Sequence, residues 1–255
     1  MSNQNARVLS QFEQQADAYA ALVKATSQSS SDPLIDALGP GPSDHILDVG
    51  CGSGQFAVTI APRVKHITGI DLTPAMLDKA RAHQLQAGLA NITWIEGDSV
   101  ALPAPDGSFD IVVSRSMFHH AADPAATLAE MRRCCREGGR IAVMDLTPAP
   151  GKEAAFDAIE ILRDPSHNRA LTAAELRGLG TDLDLTELHV GLRATTLPLE
   201  SVLATSFPPD GMLDRVRALL ARDAHAGGDA FGMGTAIKEG VVWVTYPMTL
   251  IVWQF

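Results

Sequence analysis

The sequence predicts an α/β protein with a doubly wound, mostly parallel sheet of seven strands, an antiparallel last strand and a helical insertion near the C-terminus. First, apolar runs and helical segments alternate between residues 45 and 146, as in sheets covered by helices on both faces. Second, a glycine-rich turn directly follows the first apolar run. Third, residues 241–255 are rich in β-branched and aromatic side chains, which indicates a final strand.

Five short apolar runs predict the strands of the core, at residues 45–50, 66–71, 92–98, 109–114 and 140–146. The helices between them have recognisable start signals, because Thr73 and Asp123 each precede a proline and are therefore good N-caps. Gly88 is the expected residue just past the end of the first of these helices. The core is thus a series of strand and helix units.

The pattern changes after residue 147, where a Pro- and Gly-containing stretch ends the alternation. A helix is predicted near 152–162, and Thr172 with Glu175 forms the capping-box pattern of a second helix. Residues 183–191 are predicted as a sixth strand. We divide the chain into an N-terminal lid helix, an α/β core, an insertion and the final strand or strands, at residues 1–32, 33–195, 196–239 and 240–255.

Composition and charge narrow the classes of partner. A formal charge of −10 disfavours nucleic acid, because binding to phosphates depends on clustered Lys and Arg. No stretch reaches the roughly 20 apolar residues of a membrane span, and the polar N-terminus predicts a cytoplasmic protein. The three cysteines lack zinc or redox spacing and are expected to be free thiols. The expected partner is a small-molecule acceptor, and a homodimer is left open.

The glycine turn within residues 46–56 raises the question of which ligand it holds. A P-loop would require a Lys followed by Ser or Thr, which is absent, and a dinucleotide fingerprint would place its third glycine one residue later than Gly54. Pyrophosphate is therefore disfavoured. Asp48 precedes the turn, and its carboxylate would repel a pyrophosphate and attract a cation.

Two further acidic residues end the next two predicted strands. Asp71 ends the second strand, where related folds bind ribose hydroxyls, and Asp98 ends the third. Asp71 could instead cap the following helix, although Thr73 is better placed for that. Three acidic strand ends suit a ligand with a ribose, an adenine amino group and a positively charged amino-acid tail.

Four motifs in order resemble those of the class I S-adenosylmethionine-dependent methyltransferases, especially the methyltransferase type 11 branch that is similar to ubiquinone/menaquinone C-methyltransferases. They are "LDVGCGSGQF", "GIDLTPAMLDKAR", "WIEGDSVALPAPDGSFDIVVSRSMFHH" and "PAATLAEMRRCCREGGRIAVMD". The resemblance covers about residues 10 to 190 and implies a Rossmann-like methyltransferase fold with S-adenosyl-L-methionine as cofactor.

The resemblance also implies roles for individual residues. The methionine part of the cofactor would lie against the turn formed by Gly50, Gly52 and Gly54. Asp71 would bind the ribose. Asp98 with Ser99 would read the adenine, while Leu72 and Met76 would line the pocket; Met76 could also be ordinary core. The set of cofactor-binding residues is completed by Tyr19 on the lid helix, Asp48 and Arg115.

Histidines supply the candidate catalytic groups. His119 and His120 follow the fourth strand, where ligands collect at the carboxyl ends of parallel strands. A histidine can accept a proton from an oxygen, nitrogen or activated carbon nucleophile, so either could be a general base, or both could only position the cofactor. His167 is the rival candidate at the expected pocket edge. These histidines lack metal-ligand spacing, so no metal is predicted.

The sequence therefore predicts a methyltransferase acting on a small metabolite at carbon, oxygen or nitrogen. Two alternatives remain: a pathway enzyme of the same fold, such as a cyclase, that binds the cofactor without transferring its methyl, and a noncatalytic partner of a second subunit. The insertion, with Phe207, Met212 and Phe231, is expected to form a mostly apolar acceptor pocket.

Overall fold

The computed structural model of the chain describes residues 2–26, 33–227 and 229–255. Residue 1 and residues 27–32 of the predicted lid segment lie outside the described residues, as does residue 228 of the predicted insertion. The strands are β1 (His45–Val49), β2 (His66–Asp71), β3 (Ile92–Glu96), β4 (Phe109–Arg115), β5 (Cys135–Leu146), β6 (Thr186–Pro198), β7 (Ala236–Lys238) and β8 (Val241–Gln254). The α-helices are α1 (Asn3–Thr26), α2 (Pro33–Leu38), α3 (Gln55–Ile60), α4 (Pro74–Gln86), α5 (Pro124–Cys134), α6 (Glu153–Arg163), α7 (Ala173–Asp182), α8 (Leu199–Leu203) and α9 (Met212–Ala226).

The strands form one sheet in the order β3-β2-β1-β4-β5-β8-β6, with β7 paired to β8. The first five strands are parallel, and β8 runs antiparallel to both β5 and β6. The order reverses between β1 and β4, which creates the crevice where ligands bind in open α/β sheets. The predicted fold class is therefore confirmed.

The main difference from the predicted sheet is an eighth strand among the described residues. β7 lies in the segment interpreted as a helical insertion and pairs with the start of β8. Its three residues are too few to give a periodic signal in the sequence. β6 is also longer and later than the predicted 183–191, so the first residues of the predicted insertion belong to the sheet.

The predicted helix boundaries are matched closely by the structure. Asp123 caps α5 by accepting a hydrogen bond from the Ala126 N–H at 2.9 Å. Thr172 and Glu175 make both bonds of the capping box at the start of α7. β5 begins at Cys135, directly after the last residue of α5.

The core lies on both faces of the sheet. One cluster packs α5 and α7 against the sheet and includes Trp253, Phe118 and Leu128. The other packs α2 and α3 on the opposite face and includes Phe56 and Leu34. Burial on both faces explains why the central strands are continuously apolar. A third cluster joins α6, α8 and α9 to β8 beside the crevice.

Candidate active site

A cavity of about 510 Å³ opens at the carboxyl ends of β1, β2 and β4 and extends between α1 and α6. Twelve of the predicted site residues line it: Tyr19, Asp48, Gly50, Gly52, Asp71, Leu72, Met76, Asp98, Ser99, Arg115, His119 and His120. Gly54 and His167 do not line it. The structure therefore brings most of the candidate cofactor-binding residues to one enclosed space, although they come from six separate stretches of the chain.

The glycine turn after β1 is tied to the neighbouring strand. The N–H groups of Gly50 and Cys51 both donate to the Ile70 carbonyl, at 2.8 and 3.0 Å. Gly50 and Gly52 have φ values of 69° and 53°, in the left-handed region that glycine occupies without strain. A Cβ at Gly52 would meet nothing within 4 Å, so the open side of this residue is free to receive a ligand.

Gly54 has a different role from the predicted one. Its φ is 75°, and an added Cβ would lie 2.6 Å from the Trp94 ring and 2.8 Å from the Ala80 side chain. The residue is therefore required for close packing of the start of α3 against β3 and α4. Its place in the glycine motif gave no sign of this packing role.

Asp71 holds the turn in position. Its carboxylate accepts hydrogen bonds from the N–H groups of Gly52 and Thr73, each at 2.8 Å. Burial raises the pKa of Asp71, although these backbone donors oppose the rise. Each carboxylate oxygen has a second lone pair, which leaves acceptor capacity toward the cavity.

Asp48 is a buried carboxylate with an unsatisfied oxygen. The residue is 2% exposed, and its Oδ2 has no hydrogen-bond partner among the described residues. Burial raises the pKa of Asp48 to about 7, with Arg115 lowering it and Asp71 adding to the rise. A buried acid without a partner is costly unless a ligand supplies a donor or positive charge.

Asp98 and Ser99 lie on the next loop of the cavity wall. Asp98 Oδ2 accepts a hydrogen bond from the Asn5 side-chain amide of α1 at 2.5 Å, and Ser99 Oγ lies 3.1 Å from Thr127 Oγ1. The predicted adenine-reading pair is thus attached to the lid helix on one side and to α5 on the other.

His119 forms a buried pair with Asp145, the next-to-last residue of β5. The distance from His119 Nδ1 to Asp145 Oδ1 is 2.6 Å, and Asp145 Oδ2 also accepts from the N–H groups of Met117 and Phe118 at 2.8 and 2.7 Å. Burial alone would lower the pKa of His119, but the charge and hydrogen bond of Asp145 outweigh it and raise that pKa above the ordinary 6.5. Nε2 of His119 has no hydrogen bond to any described residue, and the ring borders the cavity.

His120 is held differently from its neighbour. Its Nδ1 lies 3.0 Å from the Ser166 carbonyl oxygen and 3.2 Å from Ser166 Oγ. Burial and the adjacent His119 lower the pKa of His120 well below its ordinary value, so the ring is neutral near pH 7. The pKa values of the two adjacent histidines are therefore shifted in opposite directions, and among the described residues it is His119 that has a hydrogen-bonded carboxylate partner.

His167 lies behind the cavity wall. Its Nε2 contacts Asp157 Oδ1 at 2.7 Å, and its ring centroid is 5.6 Å from that of His119. The following backbone supports the loop that carries His119, because the N–H groups of Asn168 and Arg169 donate to the His119 carbonyl at 2.9 and 3.2 Å. The structure thus places His167 in a supporting position, and its predicted position at the pocket edge is wrong.

The N-terminal helix α1 covers the cavity. Gln4 donates from its side-chain amide to the carbonyls of His120 and Ser166, at 2.9 and 2.6 Å. Phe12 packs edge-on against both Tyr19 and His120, with centroid distances of 5.8 and 5.1 Å. Burial raises the pKa of Tyr19, so its hydroxyl stays neutral at the cavity surface.

Four polar residues on the far side of the cavity were not singled out from the sequence. Glu160, Arg163 and Asp164 come from α6 and its end, and Tyr246 comes from β8. Glu160 is fully buried, forms an ion pair with Arg163 at 2.6 Å and accepts a hydrogen bond from the Tyr246 hydroxyl at 3.1 Å. The only sequence signal was a glutamate among apolar residues in a predicted helix.

The segment interpreted as the insertion contributes to this side through different residues from those expected. Val202 and Thr205 line the cavity, beside Leu197 of β6. Phe207 lies in a shallow outer groove and is 40% exposed, while Phe231 packs with α6, α8 and α9. Phe207, Met212 and Phe231 are all absent from the cavity lining.

Comparison with known sequences identifies the class of protein that this fold and site define. A family model described as a methyltransferase domain matches residues 47–143. The chain is 34% identical over 172 residues to the uncharacterized protein YafE of Escherichia coli, a match that covers 66% of this chain and 82% of YafE. It is 31% identical to the uncharacterized methyltransferase YcgJ of Bacillus subtilis over 53% of this chain and 54% of YcgJ, so this match spans about half of that relative.

Solved structures share the fold. A crystal structure of YcgJ from Bacillus subtilis superposes with a TM-score of 0.78 at 22% identity, covering 87% of this chain and 95% of YcgJ. Geranyl diphosphate C-methyltransferase from Streptomyces coelicolor, determined with Mg²⁺, geranyl diphosphate and S-adenosyl-L-homocysteine, superposes with a TM-score of 0.60 at 18% identity. That comparison covers 87% of this chain and 76% of the transferase.

The chain belongs to the class I S-adenosylmethionine-dependent methyltransferases, as the four sequence motifs predicted.

None of the helices in the described ranges combines the length and apolar character that a membrane crossing requires. Nor do the residues that the structure describes place three or more His, Cys, Asp or Glu side chains where they could share a metal ion.

Proposed function

We propose that this protein transfers the methyl group of S-adenosyl-L-methionine to a small-molecule acceptor, with His119 as the general base. The observation that carries the proposal is a cavity that is bordered both by the open glycine turn with Asp48 and by His119, whose ring is held by Asp145. The residues proposed to bind the cofactor and the proposed base thus line the same cavity.

The residues present fit this cofactor. Asp48 would hold the positively charged amino-acid part, because its Oδ2 is buried and has no hydrogen-bond partner in the described part of the chain. Gly52 offers an open backbone surface beside it, and Asp71 retains acceptor capacity for ribose hydroxyls. Leu72 and Met76 line the same wall, and Asp98 with Ser99 would read the adenine.

Asp71→Ala tests this cofactor assignment. Removing its charge-assisted hydrogen bonds is expected to weaken binding of S-adenosyl-L-homocysteine by about 1.5–3 kcal/mol, roughly ten- to a hundredfold. Titration calorimetry on the purified chain measures the affinity. Unchanged affinity would show that the ribose assignment is wrong.

The protein's own chemical task is small. When bound, the cofactor supplies an activated methyl group on a sulfonium. The chain has to align the acceptor, exclude water and remove a proton from the nucleophile. His119 lines the cavity with its Nδ1 held by Asp145, so Nε2 is the atom that would accept the proton, while Asp145 would fix the tautomer and stabilise the imidazolium that forms. α1 and the walls from α6 and α8 enclose the acceptor.

The acceptor side supports a small molecule of mixed character. Apolar side chains of Leu197, Val202 and Met248 border it together with the polar group on α6. The net charge of −10 disfavours a nucleic acid as the acceptor. The proposal includes a cytoplasmic location, which the three buried free thiols suit.

Incubation with the cofactor and a metabolite extract, followed by mass spectrometry, tests the activity. The expected result is a product that has gained the mass of one CH₂ unit, formed by the wild type and lost in Asp71→Ala. A cofactor-dependent product of unchanged mass would instead support a cyclase-like enzyme. Cofactor binding with no new product from any extract would support a noncatalytic partner, and either result would overturn the proposal.

A further inference from the structure

The end of α6 places an incompletely paired carboxylate on the acceptor side of the cavity. Asp164 is the C-cap residue of α6 and is followed by Pro165, which turns the chain away from the helix. Asp164 lines the cavity and is only 3% exposed. Asp164 is held in this position by the end of α6 and by the following loop, which also supports His119 and His120.

Among the residues that the structure describes, hydrogen bonds are made to one oxygen of Asp164. Oδ1 accepts hydrogen bonds from Ser166 N–H at 2.9 Å and from Ser166 Oγ at 2.5 Å. Oδ2 has no hydrogen bond to any residue in the described ranges. Burial would raise the pKa of Asp164, but the charge of Arg163 and the hydrogen bonds from Ser166 hold it below the ordinary value, so the carboxyl is ionised near pH 7.

The other carboxylates on this side are already matched. Glu160 is paired with Arg163 and the Tyr246 hydroxyl, and Asp145 with His119 and backbone N–H groups. Arg163 also donates to Ser206 Oγ at 3.0 Å. Because Arg163 is engaged by Glu160, it does not form an anion site, and Asp164 contributes the remaining negative charge.

A buried carboxylate with a spare oxygen favours a ligand that brings a donor and a positive charge, and it disfavours a second anion. The neighbouring wall of Leu197, Val202 and Met248 requires an apolar body. We propose that Asp164 anchors the acceptor by pairing with a protonated amino group of that molecule. The acceptor is then a small, largely apolar amine, and the atom that receives the methyl group belongs to a different functional group from the protonated amine. This inference rests on the proposed function and specifies its substrate class.

Three probes with the same phenylethyl body separate these chemistries: 2-phenylethylamine, 2-phenylethanol and 3-phenylpropanoate. Each is titrated by calorimetry at pH 7 into wild-type protein saturated with S-adenosyl-L-homocysteine. The amine is expected to bind at least about tenfold more tightly than the alcohol, and the propanoate more weakly still, because a charge-assisted bond forms with the amine alone.

Asp164→Asn keeps an acceptor oxygen for Ser166 and removes the charge. It is expected to abolish the preference for the amine over the alcohol while leaving affinity for S-adenosyl-L-homocysteine unchanged. Asp182→Asn is the matched control, because it removes the same charge from an exposed position at the end of α7 and is expected to keep the wild-type preference.

An equal or reversed order of the probes, or failure of the amine to bind at millimolar concentration, would overturn the Asp164 proposal. So would an unchanged preference in Asp164→Asn. The wild-type order is informative even if that variant fails to fold. Failure of the proposed function is distinguishable, because it would appear in the extract assay as the absence of a product one CH₂ unit heavier, whatever the order in which the probes bind.

Discussion

The glycines of the turn after β1 look alike in sequence, yet each meets different surroundings. Gly52 and Gly54 both have positive φ, but only Gly54 lies where a side chain would strike its neighbours, Trp94 and Ala80. The open side of Gly52 belongs to the cavity. One motif therefore combines a residue that serves ligand approach with a residue that serves packing.

Alanine substitutions should separate the two roles. Gly54→Ala is expected to destabilise the protein by about 2–4 kcal/mol, because overpacking adds to the strain of a left-handed residue. Gly52→Ala carries only the backbone strain, about 1–2 kcal/mol, but should weaken binding of S-adenosyl-L-homocysteine more strongly. Chemical denaturation measures the stabilities and calorimetry the affinities. Equal stability losses in the two variants would contradict the packing role of Gly54.

The His119–Asp145 pair makes a prediction about pH. A base must be deprotonated to act, and the raised pKa of His119 places the acidic limb of the rate profile above pH 6.5. His119→Ala is expected to lower kcat by about 10²–10⁴ and leave cofactor affinity nearly intact. Asp145→Asn should move the acidic limb to lower pH, because the charge that raises the pKa is gone.

His120→Ala is the matched comparison for this prediction. His120 is neutral and bonded to the Ser166 loop, so its loss should change the KM for the acceptor more than kcat. The rates are measured with the acceptor identified in the extract assay. Full kcat in His119→Ala across pH 6 to 9 would show that the acceptor arrives already nucleophilic and that His119 is not a base.

At the scale of elements, the sequence predicted what local periodicity encodes. β1, β2 and β4 were predicted within a residue or two, and the three acidic strand ends of the cofactor side followed from their positions in the motifs. The acceptor side could not be derived in the same way. The pairs His119 with Asp145 and Glu160 with Tyr246 join residues 26 and 86 apart in the chain, and only the packed fold brings them together.

The sequence also could not distinguish His119, His120 and His167. All three are histidines near a predicted pocket, and their difference lies in partners from other elements. Asp145 comes from β5, the Ser166 carbonyl from the loop after α6, and Asp157 from α6 itself. Tertiary contacts therefore decide the charge and accessibility that chemistry requires.

The helix α1 is expected to act as a lid, which remains a prediction. Its polar anchors on the core include Gln4 on two carbonyls, Asn5 on Asp98, and an ion pair between Asp17 and Lys79, and its Phe12 packs edge-on against His120. Such contacts are compatible with opening, since exposed ion pairs contribute only about 0–1 kcal/mol. Closure over the cofactor should protect the backbone around Tyr19.

Hydrogen exchange with and without S-adenosyl-L-homocysteine tests the lid. Amides near Tyr19 and in the segment 196–239 are expected to exchange more slowly in the complex, because water-excluding elements close over bound ligand. The central strands serve as the internal control and should be protected in both states. Equal exchange around Tyr19 in the two states would contradict a lid.

At the scale of the whole molecule, Asp48, which is proposed to bind the cofactor, lowers the stability of the ligand-free protein at neutral pH. Asp48 is buried, none of the described residues hydrogen-bonds to its Oδ2, and its pKa rises from 3.8 to about 7 on folding. Because the folded state holds this proton more tightly than the unfolded state, the contribution of Asp48 to stability is complete below pH 3.8. That contribution is lost as the pH rises through about 7. The ligand-free protein at neutral pH therefore carries the cost of a buried charge.

Asp48→Asn is expected to raise the melting temperature of the ligand-free protein at pH 8, and the gain should shrink toward pH 5, where Asp48 is protonated in the folded state. We expect a stabilisation of a few kcal/mol, and each kcal/mol raises the melting temperature by about 2–4 °C in a chain of this size. The same variant should bind S-adenosyl-L-methionine more weakly, because the amide offers no charge to the cationic tail.

The two effects are linked through the same proton. In the wild type, a cation beside Asp48 favours its ionised form, so affinity for S-adenosyl-L-methionine should rise as the pH increases through about 7. Asp48→Asn should remove that rise, whereas the surface control Asp182→Asn should keep it. Melting curves and calorimetry between pH 5 and 8 measure both quantities. If Asp48→Asn shows the wild-type pH dependence, Asp48 does not bind the cationic part of the cofactor, because no other group in the variant has changed.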